Sequence, residues 1–235
     1  MAERPIFVPL RDGPKLVGEI YLSIVWHSGF APIQKKKNIK ALHEVAAGVG
    51  YSPILEVSTK SEDAIGQRLS AFSLKVQTRE IGGIPLECAF QGSKVFERGG
   101  PYTDLYGMEP KTAKQDPRLK NSGRLVGFMF EKSSFPLMPK TGFYDWLYLS
   151  AIFPHRAWLS RLHCYAGFTD IEFNPSRSIN CQARSIALFV TLMSRNLLDS
   201  AMKTPQDFLT VLTDFSYNPI NREDSEQRAL FRSGQ

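Results

Sequence analysis

The chain is poor in the signatures that usually announce a chemistry. Its three cysteines, Cys88, Cys164 and Cys181, stand far apart with no CxxC pair. An odd, scattered set of this kind is no disulfide framework and fits a reduced, cytoplasmic protein. Four histidines, His27, His43, His155 and His163, show no metal-ligand spacing such as HExxH, so neither a metal nor another cofactor is expected. There is no GxxxxGK[ST] loop, no GxGxxG between a strand and a helix, and no GxSxG elbow, which removes the common nucleotide-binding and serine-hydrolase fingerprints. No run approaches the ~18 apolar residues of a membrane span, and Met1-Ala2-Glu3-Arg4-Pro5 carries no apolar signal core. The expectation is a cytoplasmic protein without a membrane partner.

What is present is an ordinary globular composition. The 235 residues are 43% hydrophobic and 22% charged, enough for one domain with a proper core and unlike a disordered chain. The net charge of +6 suits an anionic partner, nucleic acid or a phosphorylated ligand; a mildly basic enzyme carries the same excess.

Periodicity places the elements. Gly18 to Trp26 alternates as a strand, and Pro32 opens a helix to about Ala47 with Ile39, Leu42, Val45 and Ala46 inward. Ile54 to Ser58 and Phe72 to Thr78 read as strands, Ser61 as a helix cap, and Gly82-Gly83 as a turn. Gly99 to Gly123 is rich in Gly, Pro and basic residues, a long loop with one short helix. Leu125 to Glu131 resumes as a strand. Gly142 to Phe153 is apolar nearly all round and belongs in the interior. Ser178 to Asp199 is the clearest amphipathic helix, with Asn180 near its start as an N-cap, and Thr204-Pro205 opens a last helix through Val211.

Against this background a few charges stand out. Glu87 and Lys94 lie seven positions apart within Leu86 to Phe96. On one helix they would share a face within roughly 20° and lie about 10 Å apart. They either address something between them or belong to a solvated surface. Asp145 interrupts the apolar helix, and an unpartnered buried carboxylate is costly, so it is either paired structurally or faces a wet cleft. Carboxylates, one lysine and amides (Glu87, Lys94, Asp145, Glu172, Asn180) suit glycosidic cleavage, in which acids stabilise an oxocarbenium-like centre and help deliver water. A lysine of lowered pKa can also be a nucleophile.

These residues carry a family resemblance. Glu87 to Phe96 resembles the glutamate-to-lysine motif of the NADAR superfamily, which includes the YbiA-like N-glycosidases. Leu69-Ser70-Ala71-Phe72, Asp145-Trp146, Asn180 and Leu192-Met193-Ser194-Arg195 resemble that family's further motifs, in its order. Gln91 to Tyr102 and Ile171 to Pro175 are similar to the subgroup found beside DarT-type DNA-modifying toxins.

The resemblance implies an α+β fold, helix-rich with a small β-sheet, in a single domain over residues 1–217. Residues 1–57 form a strand–helix extension, 58–199 the motif-bearing core, 200–217 a terminal helix, and 218–235 a loose polar tail. The implied activity is an ADP-ribosylglycohydrolase that removes ADP-ribose from guanine bases in DNA, as antitoxin to a DarT-type ADP-ribosyltransferase. A glycosidase on a small ribotide of the riboflavin pathway and a non-catalytic ADP-ribose-binding module are the alternatives. Glu87, Lys94 and Asp145 take the catalytic roles. Phe90, Gln91, Ser93, Phe96, Arg98, Trp146, Glu172, Asn174 and Asn180 are expected to bind substrate, and the basic loop (Lys111, Lys114, Arg118, Lys120, Arg124) to meet DNA.

Overall fold

The computed structural model describes residues 1–29 and 31–215; the expected tail, 218–235, lies outside them. The chain opens with β1 (Ala2–Pro9) and β2 (Val17–Ile24), an antiparallel hairpin with Ile6 opposite Ile20. Alternation predicts β2 but not β1, whose pattern is obscured by Arg4-Pro5. Helix α1 (Pro32–Gly48) starts at its proline and turns Ile39, Leu42 and Ala46 onto Ile6, Leu22 and Ile24, because residues three and four apart share a helix face. Then follow β3 (Ile54–Glu56) and the short α2 (Ala64–Arg68). The cap of α2 is Asp63, which accepts from Ile65 N at 2.9 Å, in place of the expected Ser61.

Next come β4 (Lys75–Thr78) and β5 (Gly82–Pro85), paired antiparallel. The strand expected from Phe72 starts three residues late because Ser73 N bonds back to Ser70 O at 2.8 Å in a turn. Gly82 and Gly83 lie in β5; Thr78 Oγ1 closes the turn before them, accepting from Ile81 N at 3.1 Å. Helix α3 (Leu86–Gly92) leads into β6 (Lys94–Phe96). The region expected to be mostly loop holds a 3-10 turn at Thr103–Gly107, α4 (Pro110–Gln115) and α5 (Arg118–Asn121). Strands β7 (Leu125–Phe130) and β8 (Ser133–Phe135) complete a three-stranded sheet with β6.

Helix α6 (Gly142–Ile152) is buried as its composition demands, with Leu147, Tyr148 and Leu149 wholly inside. After α7 (Arg156–Leu159) comes β9 (Gly167–Thr169), which lies between β1 and β3, antiparallel to the first and parallel to the second. The fold is therefore mixed α/β, with three small sheets among the described residues. Residues 2–56 supply three strands of the largest one, so the first part of the chain is woven into the sheet that carries Thr169 and Asp170.

Helix α8 (Gln182–Ser194) is buried from Gln182 to Leu192. It is shorter than expected because Asn196 takes the left-handed conformation (φ 56) and Leu197 N returns to Leu192 O at 2.8 Å, a chain-reversing helix end. Arg195 at that end donates to the carbonyls of Leu10, Asp12, Gly13 and Lys15, pinning the β1–β2 turn. The chain continues through α9 (Leu198–Ala201) to α10 (Pro205–Asp214), which Thr204 caps by accepting from Asp207 N at 3.1 Å. Among the described residues no helix is long and apolar enough to cross a membrane.

Candidate active site

Helix α3 does not run from Leu86 to Phe96. It ends at Gly92, where a Cβ would come 2.6 Å from the Tyr106 ring and 2.9 Å from Tyr102 O. Only glycine lets the 3-10 turn pack that closely. Ser93 is fully buried, within 3.0 Å of the Tyr106 hydroxyl, and its carbonyl accepts from Met129 N at 2.8 Å. Lys94 then starts β6, paired with Phe128. The seven-residue helical step is therefore not what brings Glu87 and Lys94 together.

Gln91 does so instead. It lies one turn after Glu87 on α3, and its Nε2 donates to Glu87 Oε1 at 2.8 Å. Its Oε1 accepts from Lys94 Nζ at 2.6 Å. The amide thus joins acid to amine in a hydrogen-bonded chain. The ammonium also sits 5.0 Å from the centroid of the Phe90 ring, and Lys114 Nζ lies 3.8 Å from Glu87 Oε1. Burial lowers the Lys94 pKa; Glu87 opposes this and Lys114 adds to it. The result is an amine that sheds its proton more easily than a surface lysine, beside a carboxylate.

This chain forms one wall of a cleft with two adjoining lobes. The larger, about 1020 Å³, is lined by Glu87, Phe90, Gln91, Lys94, Lys140 and Arg177 among others. The smaller, about 470 Å³, is lined by Arg4, Trp26, Phe72, Asp170, Glu172 and Asn174 among others. Glu87, Lys114, Tyr144, Arg177, Ser178 and Asn180 border both. Of the expected site residues, Glu87, Lys94, Phe90, Gln91, Glu172, Asn174 and Asn180 thus meet in one place. Asn180 does not cap α8. Cys181 holds that position without a side-chain bond, and Asn180 Oδ1 is buried without a partner.

Other expected site residues lie elsewhere. Asp145 is 1% exposed, not on the cleft. It accepts from Thr141 Oγ1 at 2.8 Å and Ser185 Oγ at 2.5 Å, and Arg184 Nη1 lies 3.4 Å away. Arg184 also meets Glu19 at 3.1 Å. Burial raises the Asp145 pKa, and Arg184, Ser185 and Thr141 hold it down. Of its two sequence readings, structural pairing is the one realised. Ser93 is buried under Tyr106; Phe96 is buried against Tyr102; Trp146 packs on Phe135 and Phe208. Arg98 is exposed and donates to Asn121 O at 3.3 Å. Of the basic loop, Arg118 is held by Asp104 and Asp116, and Arg124 by Glu97, while Lys111 and Lys120 are exposed away from the cleft. Only Lys114 reaches it.

Sequence reasoning missed Arg4, Trp26, Lys140, Tyr144, Asp170 and Arg177. Asp170 had a readable signal, an acid directly after the short β-prone run Gly167-Phe168-Thr169. Behind it lies Glu56, 2% exposed, accepting from Ser58 Oγ at 2.6 Å, Thr169 Oγ1 at 2.7 Å and Ile171 N at 3.0 Å. Burial and the charge of Asp170 push the Glu56 carboxyl up, and burial raises Asp170 too. His43, 3.0 Å from Thr169 Oγ1, is pushed down by burial. Among the described residues no group of three or more His, Cys, Asp or Glu is arranged to hold a metal ion.

The fold and cleft define a mixed α/β protein that joins a carboxylate to a desolvated lysine in a pocket rimmed by cations, a setting for a polar, anionic ligand. Residues 2–221 match the family of DarT1-associated NADAR antitoxins, and the chain belongs to that family. No curated protein matches it.

Proposed function

We propose that the protein is an N-glycosidase that removes ADP-ribose from guanine in DNA, and so counteracts a DarT-type toxin. The observation that carries this reading is the Glu87–Gln91–Lys94 chain on the wall of a cleft large enough for a dinucleotide-sized ligand. In the reaction the bond from the anomeric carbon to the guanine nitrogen breaks and a bond to a water oxygen forms. Glu87 stabilises the oxocarbenium-like centre and takes the proton of the attacking water, and that proton ends on the departing guanine nitrogen, so that the base leaves neutral. Gln91 fixes the carboxylate and the amine relative to each other. Lys94 stands at the anomeric carbon. A borohydride trap separates a polar contact there from covalent attack through an imine of the opened ribose. Lys140, Lys114 and Arg177 meet the diphosphate. Asp145, paired with Arg184 in the interior, stabilises the fold and takes no part in the chemistry.

The test is to incubate the protein with DNA bearing ADP-ribosylated guanine and, separately, with phosphoribosyl compounds. Release of ADP-ribose from the DNA is expected. Turnover of the ribotides alone would make it a small-molecule glycosidase. Tight ADP-ribose binding with no turnover of either would make it a binding module.

A further inference from the structure

The smaller lobe is built largely from residues remote from α3. Arg4 of β1 lies over the Trp26 ring, 4.4 Å from its centroid. Its Nη1 donates to Glu3 O at 2.8 Å, but its Nε is buried without a partner. Asn180 Oδ1, on the same lobe, is also buried without a partner. Asp170 accepts from Gln182 Nε2 at 2.9 Å and from Glu172 N at 3.0 Å, which fixes its carboxylate at the lobe wall. Phe72 presents an exposed aromatic face to the same space. A buried donor and a buried acceptor that both lack partners are unfavourable in the empty protein, and a side-chain rotation that turns each toward the lobe lets a ligand with the complementary groups relieve both.

We infer that the smaller lobe is a nucleobase subsite, holding the guanine while the larger lobe holds ADP-ribose. This rests on the proposed activity and assigns the two halves of its substrate. Guanine carries N–H donors on one edge and the O6 and N7 acceptors on the other. Asp170 and Asn180 Oδ1 supply acceptors for the first, and the Arg4 guanidinium is the usual partner for O6 and N7. Phe72 supplies a face on which any base can stack. Lys94 borders only the larger lobe, whereas Glu87 borders both. With the base in one lobe and the sugar in the other, the scissile bond falls at their junction, at Glu87 and with Lys94 on the sugar side. The volumes run in the same order, with the bulkier ADP-ribose in the lobe of about 1020 Å³ and the single base in that of about 470 Å³.

Calorimetric titration of guanosine into the protein saturated with ADP-ribose tests this directly. Guanosine is expected to bind with ADP-ribose in place. Phe72→Ala and Arg4→Met, which border the smaller lobe and not the larger, should each weaken guanosine about tenfold or more while leaving ADP-ribose affinity nearly unchanged. Thermal melts establish that each variant is folded; if Arg4→Met is not, Phe72→Ala alone decides. Three results would overturn the assignment: guanosine displaced by ADP-ribose, no guanosine binding at millimolar concentration, or affinity untouched by the variants. If the two ligands bind together but modified DNA is not hydrolysed, the subsite stands and the catalytic reading falls.

Discussion

Lys94 donates to Gln91 Oε1 at 2.6 Å, and this bond, not helical stacking, holds the lysine near Glu87. Gln91→Leu removes both links of the chain and should lower kcat/KM about 100-fold, since small misplacements of reacting groups cost that much. Gln91→Glu adds negative charge next to an amine whose pKa burial has lowered. The charge favours the ammonium, so the limb of the pH–rate profile that Lys94 governs should move to higher pH. An unmoved profile would show that Lys94 does not titrate in the rate-determining step.

Asp145 and Glu87 should separate cleanly by mutation. Asp145→Asn leaves Arg184 buried with one carboxylate partner fewer, and breaking such a pair costs about 3 kcal/mol. Urea denaturation should show that loss, while kcat below the melting transition stays close to wild type. A folded Asp145→Asn protein without activity would put the aspartate back in the chemistry.

Gly92→Ala should cost about 1–3 kcal/mol, because its Cβ would meet the Tyr106 ring. It should also reduce turnover, since Glu87 and Gln91 ride on the helix that must shift. Gly107, with open space around it, is the control: Gly107→Ala should change stability by no more than about 0.5 kcal/mol.

How much of this was legible depends on the range of the interactions. The burial of α6 and α8 follows from local pattern, apolar all round in one and amphipathic in the other. Asp145 was visible as an anomaly, but its partner Arg184 lies 39 residues on, so pairing and cleft could not be told apart. The break after Gly92 depends on Tyr106 arriving from a later turn, which no periodicity within Leu86 to Phe96 can report. Strand β9 is three residues long and exists because β1 and β3 flank it. For the same reason Arg4 and Trp26 gave no sign of belonging to the cleft.

Stability should fall as pH rises above neutrality. Burial and the charge of Asp170 raise Glu56 to about 8, and burial and the charge of Glu172 raise Asp170 to about 7. The folded protein therefore keeps protons that the unfolded chain releases, and stability is lost as pH climbs from the ordinary carboxylate range to about 8. His43, lowered to about 4, works the other way, costing stability as pH falls from about 6.5 toward 4. Above about pH 6.5 only the carboxylates act. The melting temperature should drop from there to about pH 8, and Glu56→Gln should flatten that drop. An equally steep drop in Glu56→Gln would refute the assignment.

The cations at the cleft, rather than those of the preceding loop, should govern affinity for the modified strand through its ADP-ribose diphosphate. Lys140→Ala and Arg177→Ala are each expected to weaken binding and to make it less sensitive to salt. Arg118→Ala should leave it unchanged, because Asp104 and Asp116 already hold that guanidinium. Salt titrations of binding to a modified oligonucleotide distinguish the two sets.

The most direct test of the central claim is the single-turnover rate of ADP-ribose release from DNA carrying ADP-ribosylated guanine, wild type against Glu87→Gln. The cleft chemistry predicts release by the wild type and a fall of about 1000-fold in the variant. Release by Glu87→Gln at the wild-type rate would contradict it.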